Sequence, residues 1–461
     1  VSGTVLERLA EYAAAEREAA LAPALRHHAQ RALVDWFGNV LRGATVPPAS
    51  LLAAALADEL GQGGAFVYGA GARAPLRVAA LINGTASHAI EFDDIFRDAI
   101  YHPGSPTVAA ALAAAQARDA DAELMLRAIV VGYEVSTRIG VAVQPSHYAF
   151  WHTTGTIGSF GAAAAVATVL RLDAPRIAHA LATAATMAAG LQQAFRSASM
   201  SKPLHAGHAA EAGALAALAA ARGVTGALDM LEGAAGFGAA MSRGADWRRA
   251  TEELGSRYNI AEMTYKNHGC CGHAFAAIDG ALALKAANGL LPEAIATLRI
   301  GTYKAALEVA GDRAAATASQ ARFSLPFLVA SALVHGAVRL DAFEPPRLAD
   351  PRVRALMGRI ELAVDDACDA AFPRRRAARI DITLADGRQL SRFQPTRKGD
   401  PELPLSDREL DDKFLELAGP AIGEAPARRL LARLWSLDQP PAALVPDAAP
   451  RAPAQQRTIP A

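Results

Sequence analysis

The sequence predicts a mainly α protein: a large all-helical domain plus a smaller α+β domain. Three observations carry this prediction. Ala/Leu-rich stretches punctuated by Gly, Pro and Ser fill the chain up to about residue 262. Beyond that point the texture turns to strand-like alternation, and from Ser406 it turns helical again. The expected boundaries are therefore 1–262 with 403–461 for a helical domain built from both chain ends, and 263–402 for the smaller domain.

Taken in order, the first domain owes its helices to alanine, which loses no side-chain entropy on entering a helix and lets neighbouring helices approach closely. The stretch 208–222 is the clearest example. In the smaller domain, Ala296-Thr297-Leu298-Arg299-Ile300-Gly301-Thr302-Tyr303 alternates as a half-buried strand does. Residues 379–384 and 389–393, joined across Ala385-Asp386-Gly387-Arg388, read as a hairpin turning at Asp-Gly. Residues 274–290 and 321–337 are expected to be helices around these strands. After Ser406, the acids Asp407, Glu409 and Asp411 suit a helix start, with Lys413 further along. From Gln439 onward, Pro and Ala without periodicity predict a poorly ordered terminus.

A chain of 461 residues with an apolar fraction of 52% has ample material for a core. Lys plus Arg and Asp plus Glu each number 46, so bulk attraction to nucleic acid or an anionic membrane is not expected. The apolar runs are interrupted before the ~20 residues a membrane span requires. The first residues, with Glu7, Arg8, Glu11, Glu16 and Arg17, lack the apolar segment of a secretory signal. The three cysteines offer no disulfide framework, since Cys270 and Cys271 are adjacent. A cytoplasmic protein is expected.

Three segments place a basic or imidazole side chain at a helix start. In Tyr101-His102-Pro103-Gly104-Ser105-Pro106, Ser105 is expected to cap the helix and to leave His102 in the entering loop. In Trp151-His152-Thr153-Thr154, hydroxyls precede an apolar helix, and in Ser201-Lys202-Pro203, Lys202 is expected at the cap. Free N–H groups and the helix dipole favour anions at such places, so three together suit a polycarboxylate. Each is equally compatible with an ordinary loop residue or a solvated charge. The run His88-Ala89-Ile90-Glu91-Phe92-Asp93-Asp94 crowds carboxylates beside an imidazole, where proton-transfer groups can be tuned; a solvated acidic helix end is the bland alternative.

The cluster Tyr265-Lys266-Asn267-His268-Gly269-Cys270-Cys271-Gly272-His273 raises the question of zinc. Adjacent cysteines reach one ion poorly and the Cys-x-x-Cys spacing is absent, so no metal is expected. Gly69-Ala70-Gly71 lacks the Lys-Ser/Thr of a phosphate loop, and Ser159 does not stand in a nucleophile elbow.

These segments, in this order, resemble the MmgE/PrpD family, which includes 2-methylcitrate dehydratase, cis-aconitate decarboxylase and iminodisuccinate epimerase. The resemblance also rests on Asn83-Gly84, Gly132-Tyr133-Glu134, Leu204-His205-Ala206-Gly207, Arg322-Phe323-Ser324-Leu325-Pro326-Phe327 and Lys398-Gly399-Asp400-Pro401. It implies a homodimer and a metal-free, cofactor-free site in the cleft between the domains. The catalytic residues it implies are His102, His152, Lys202, Glu91 and Asp93. Lys202, Lys266, Thr153, His273 and Arg322 are expected to bind a small polycarboxylate.

Two departures matter: family members commonly have Asp where this chain has Glu91, and decarboxylase-like members place an imidazole where Cys271 stands. Dehydration of a 2-methylcitrate-like hydroxy acid is therefore the lead reading, with epimerisation of an iminodisuccinate-like substrate second. Decarboxylation of cis-aconitate and non-catalytic carboxylate binding follow.

Overall fold

The computed structural model describes residues 3–196 and 199–447. Contacts divide the chain into two units, one running to Thr264 and resuming at Ser406, the other spanning Tyr265–Leu405.

The first unit is built on the long helices Pro23–Gly43, Leu76–His88, Gly104–Ala117, Ala122–Val143, Gly158–Val169, Ala174–Thr186 and Ser201–Ala220. Helix Ser201–Ala220 packs on Leu76–His88 and on Gly158–Val169, which also carries Ala122–Val143. Small side chains permit this density: Ala209, Ala210, Ala214, Ala216 and Ala217 are all fully buried. The helical texture is broken by one hairpin, β1 (Ala65–Val67) and β2 (Ala72–Ala74), turning through the Gly69-Ala70-Gly71 run.

The return segment begins with a capping box, in which the Ser406 hydroxyl accepts from Glu409 N–H and the Glu409 carboxylate accepts from Ser406 N–H. Helix Asp407–Ile422 then packs along Pro23–Gly43. Its Lys413 does not trail into solvent as a charge near a helix end. It is buried, with Nζ 2.6 Å from Asp35 Oδ1 and 2.7 Å from the Phe92 carbonyl. The terminus is also better ordered than its composition predicts, because Leu444 is buried and its carbonyl accepts from the Tyr68 hydroxyl at 2.8 Å. The remainder of that prediction, 448–461, lies outside the described residues.

The second unit holds a four-stranded sheet in the order β4-β3-β5-β6, formed by β3 (Ile295–Thr302), β4 (Ile360–Val364), β5 (Ala378–Leu384) and β6 (Gln389–Gln394). The expected hairpin is β5–β6, closed by Leu384 N–H donating to the Arg388 carbonyl. Along β5, alternate residues Ala378, Ile380, Ile382 and Leu384 are buried, the period of two that made the strand legible. Strand β4 pairs in parallel with β3, Leu298 facing Ile360. Helix Phe275–Asn288 covers β5 and β6, and helix Leu325–His335 packs on it and on β4. Among the described residues no helix is long and apolar enough to cross a membrane.

Candidate functional site

Helix Leu76–His88 ends just before the acidic run, and the chain reverses at Glu91, whose φ of +58° is left-handed. A non-glycine residue there is strained by about 1 kcal/mol. The surroundings hold it: the Glu91 carboxylate forms an ion pair with Lys202 Nζ, and both side chains are largely buried. The next carbonyl, that of Phe92, is gripped by Lys413.

Asp93 is the hub of a buried network. Its Oδ2 lies 2.7 Å from His88 Nδ1, accepts from the Ser105 hydroxyl at 2.8 Å, and stands 3.4 Å from His102 Nδ1. Ser105 thus serves the carboxylate and does not cap its helix, which begins at Gly104. The end of that helix is met by Asp94, whose Oδ1 accepts from Gly104 N–H at 3.0 Å while Oδ2 accepts from the Tyr133 hydroxyl at 2.7 Å. The acceptor at this helix start is therefore the protein's own carboxyl group. Burial, reinforced by the Asp35 carboxylate, pushes Asp94 up to about 8.

His102 Nδ1 lies 2.7 Å from the Asp94 carbonyl, which can only accept, so this nitrogen carries a proton and the neutral ring keeps its lone pair on Nε2. His88, His102 and His152 stand close together, with ring centroids 4.8 Å apart for the first two and 5.5 Å for His88 and His152. His152 occupies the cap position of the short helix Thr153–Thr156, and its N–H donates to the Gly190 carbonyl at 2.9 Å. Its Nδ1 faces His205 Nδ1 at 3.0 Å. Burial, followed by the nearby His88 and Lys202 charges, holds His152 well below the usual imidazole value. Lys202 is not the expected cap but the second residue of helix Ser201–Ala220, two positions after its cap Met200.

The structure therefore brings Glu91, Asp93, His102, His152 and Lys202 together in one unit. Thr153 lies in the same unit, but its hydroxyl is engaged internally, accepting from Gln144 Nε2 at 3.0 Å. His88, expected only as the imidazole beside the acidic run, joins this group, as do His205 and Tyr133, which were not expected in it. The spacing Lys202-x-x-His205 was the available signal, since residues three apart share a helix face.

The other expected binding residues belong to the second unit. Lys266 is buried there, and the Arg322 guanidinium lies 4.9 Å from the Phe343 ring centroid. His273 Nδ1 is 2.7 Å from the Tyr303 hydroxyl, and burial, then the Arg376 and Arg397 charges, push the ring well below its ordinary value. His268 turns to Asp279 at 2.9 Å. Cys270 and Cys271 are buried free thiols, and burial raises that of Cys270. The motif around Lys398 shapes this segment: Gly399 accepts from Tyr265 N–H, and Asp400 forms a fully buried pair with Arg397.

Among the described residues, one group of donor atoms is close enough to hold a metal: His88, Asp93 and His102, within 4.8 Å of one another. Asp93 Oδ2 and the Nδ1 atoms of both rings are already hydrogen-bonded in that cluster. A metal at those atoms would have to replace these bonds.

Comparison with known proteins gives two family matches: the MmgE/PrpD N-terminal domain over residues 7–250 and the MmgE/PrpD C-terminal domain over 268–439. The chain is 27% identical over 438 residues to a cis-aconitate decarboxylase-like protein, oryM, of Aspergillus oryzae, covering 89% of each chain. It is 28% identical over 359 residues to the cis-aconitate decarboxylase of Homo sapiens, covering 74% of this chain and 72% of that one. The Mus musculus enzyme of the same name is 27% identical over 370 residues, with the same shares covered.

Proposed function

Because this chain belongs to the MmgE/PrpD family, we propose that it is a lyase that removes water from a small hydroxylated di- or tricarboxylate of the 2-methylcitrate kind. The observation that carries this reading is the convergence of His88, His102 and His152 with Lys202, Glu91 and Asp93 in the helical unit. A proton alpha to a carboxylate is weakly acidic, so its removal needs a neutral base beside a fixed cation that stabilises the developing charge. His102, with its lone pair on Nε2, and the buried His152 are the bases; Lys202 is the cation. As a substrate carboxylate takes the Lys202 ammonium, Glu91 loses its cation, takes up a proton from water and becomes the acid. The C–H electron pair becomes the new C=C bond, the proton goes to imidazole, and the departing hydroxyl leaves as water with a proton from the acid.

Decarboxylation of cis-aconitate is the second reading, favoured by the names of the relatives. Against it stands Cys271 at the position where decarboxylase-like members carry an imidazole. The neighbouring His273 is occupied by Tyr303 and is a poor replacement.

The test is incubation of the purified protein in deuterated water with citrate, methylcitrate, aconitate, tartrate and aminosuccinate analogues, followed by proton NMR. Water loss with a new alkene signal supports dehydration. Carboxylate loss from aconitate selects the second reading, and deuterium incorporation with inversion but no loss selects an epimerase. No exchange or conversion across the panel refutes carbon-acid chemistry.

A further inference from the structure

We propose that His205 is a positioning residue for His152: the two imidazoles share one proton between their Nδ1 atoms, and its position sets whether His152 presents a base or an acid at Nε2. The inference deepens the reading of His152 as a proton carrier and rests on it.

The Nδ1 atoms are 3.0 Å apart and the ring centroids 5.2 Å. At that distance one nitrogen must carry hydrogen and the other a lone pair, since two N–H groups or two lone pairs would repel. The fold is shaped to bring the rings together. Gly190 has φ +128°, and a Cβ on it would lie 3.2 Å from both Cγ and Nδ1 of His205. A Cβ on Gly155 would stand 3.0 Å from His205 Cβ and 2.3 Å from the Ala189 carbonyl. Gly190, whose missing Cβ leaves room for His205, also accepts the His152 N–H at its carbonyl. On helix Ser201–Ala220, Lys202 and His205 lie three residues apart, so one helix face supplies both the cation at Glu91 and the partner of His152.

The charged neighbours favour a pair with a single bridging proton. Besides each other, His152 has His88, Lys202 and His102 as neighbours and His205 has His88, Lys202 and His208. The nearby carboxylates Glu91 and Asp93 are engaged by Lys202 and His88, so an extra proton on the pair meets the Lys202 ammonium and the surrounding imidazoles. Burial is the larger influence, and together they bring His205 down to about 4.

When His152 Nδ1–H donates to His205, the lone pair stands on His152 Nε2 and takes a proton from carbon, leaving the C–H electron pair on the substrate. The bridging proton then moves to His205 Nδ1, and the charge passes to the less buried ring, which releases its Nε2 proton to water. The pair now stands in the opposite arrangement, with His152 bearing N–H at Nε2 and poised to donate.

The test uses the full chain labelled with 15N-histidine, without ligand, titrated from pH 8 down through about 4. In the wild-type protein we expect His152 and His205 in complementary single tautomers that respond to pH together. In His205→Leu, His152 should show mixed tautomers and titrate alone; in His205→Asn, whose amide reoccupies the Nδ1 position, it should regain one tautomer. With 2-methylcitrate and cis-aconitate as probes, His205→Leu should lose about 10- to 100-fold in kcat at unchanged KM, and His205→Asn should recover part of it. A His152 tautomer and titration identical in the wild type and in His205→Leu would overturn the proposal. If His205→Leu does not fold, two independent tautomers in the wild type, or mixed tautomers in His205→Asn, do the same. Absence of turnover on both probes would count against the proposed function and leave the NMR result decisive for the pair.

Discussion

Lys413→Met tests how the return segment holds the site. Lys413 and Asp35 are each at most 3% exposed, with Nζ 2.6 Å from Oδ1, 2.7 Å from the Phe92 carbonyl and 4.4 Å from the Phe92 ring centroid. Removing the ammonium leaves a buried carboxylate without its cation, which costs about 3–5 kcal/mol. For a helical unit of about 300 residues, 1 kcal/mol moves the midpoint of melting by about 1.5 °C, so the variant should melt about 6 °C lower. Asp35→Asn combined with Lys413→Met removes both charges and should recover more than half of that loss. Because Phe92 sits between Glu91 and Asp93, the single variant should also lose turnover beyond its loss of folded protein. Differential scanning calorimetry of the wild type, both single variants and the double variant forms the cycle. Additive losses, with no recovery in the double variant, would show that the pair is not coupled and refute the reasoning.

Three further outcomes follow from the same geometry. Lys202→Ala should abolish turnover and citrate-like binding together, and retained affinity by calorimetry would remove Lys202 from the site. His102→Gln should lose about 10²- to 10⁴-fold in turnover while keeping ligand affinity, and a fully active variant would refute its catalytic role. His147, buried with its ring brought down to about 4 by desolvation, is neutral in the folded protein at neutral pH. Its folded value lies below the unfolded one, so the unfolded state binds the extra proton first. Its contribution is fully present above pH ~6.5 and is lost as pH falls from there through about 4, at roughly 3 kcal/mol in total. His147→Phe should flatten the pH dependence of the melting temperature across that window, and an unchanged slope would show that His147 is not its source.

Local pattern determined the elements. The alternation of β5, the Asp-Gly turn to β6 and the Ser406 capping box each depend on a few neighbouring residues, so their physics is written in consecutive letters. His102, His152 and Lys202 were legible as candidates in the same way, each by its place near a helix start. Tertiary structure decided what partners these groups have. Ser105 became a donor to Asp93 because the loop at 91–94 returns beneath its helix, and Asp94 took the helix end that the sequence had reserved for a substrate. Lys413 became a buried anchor of Phe92 from 321 residues away. His88 beside the acidic run and His205 three residues after Lys202 carried local signals, but only packing brings His205 to His152 and sets His88 against His102 and His152. A titratable side chain takes its chemistry from burial and from the charges within a few ångströms, and those are fixed only once distant segments have packed together.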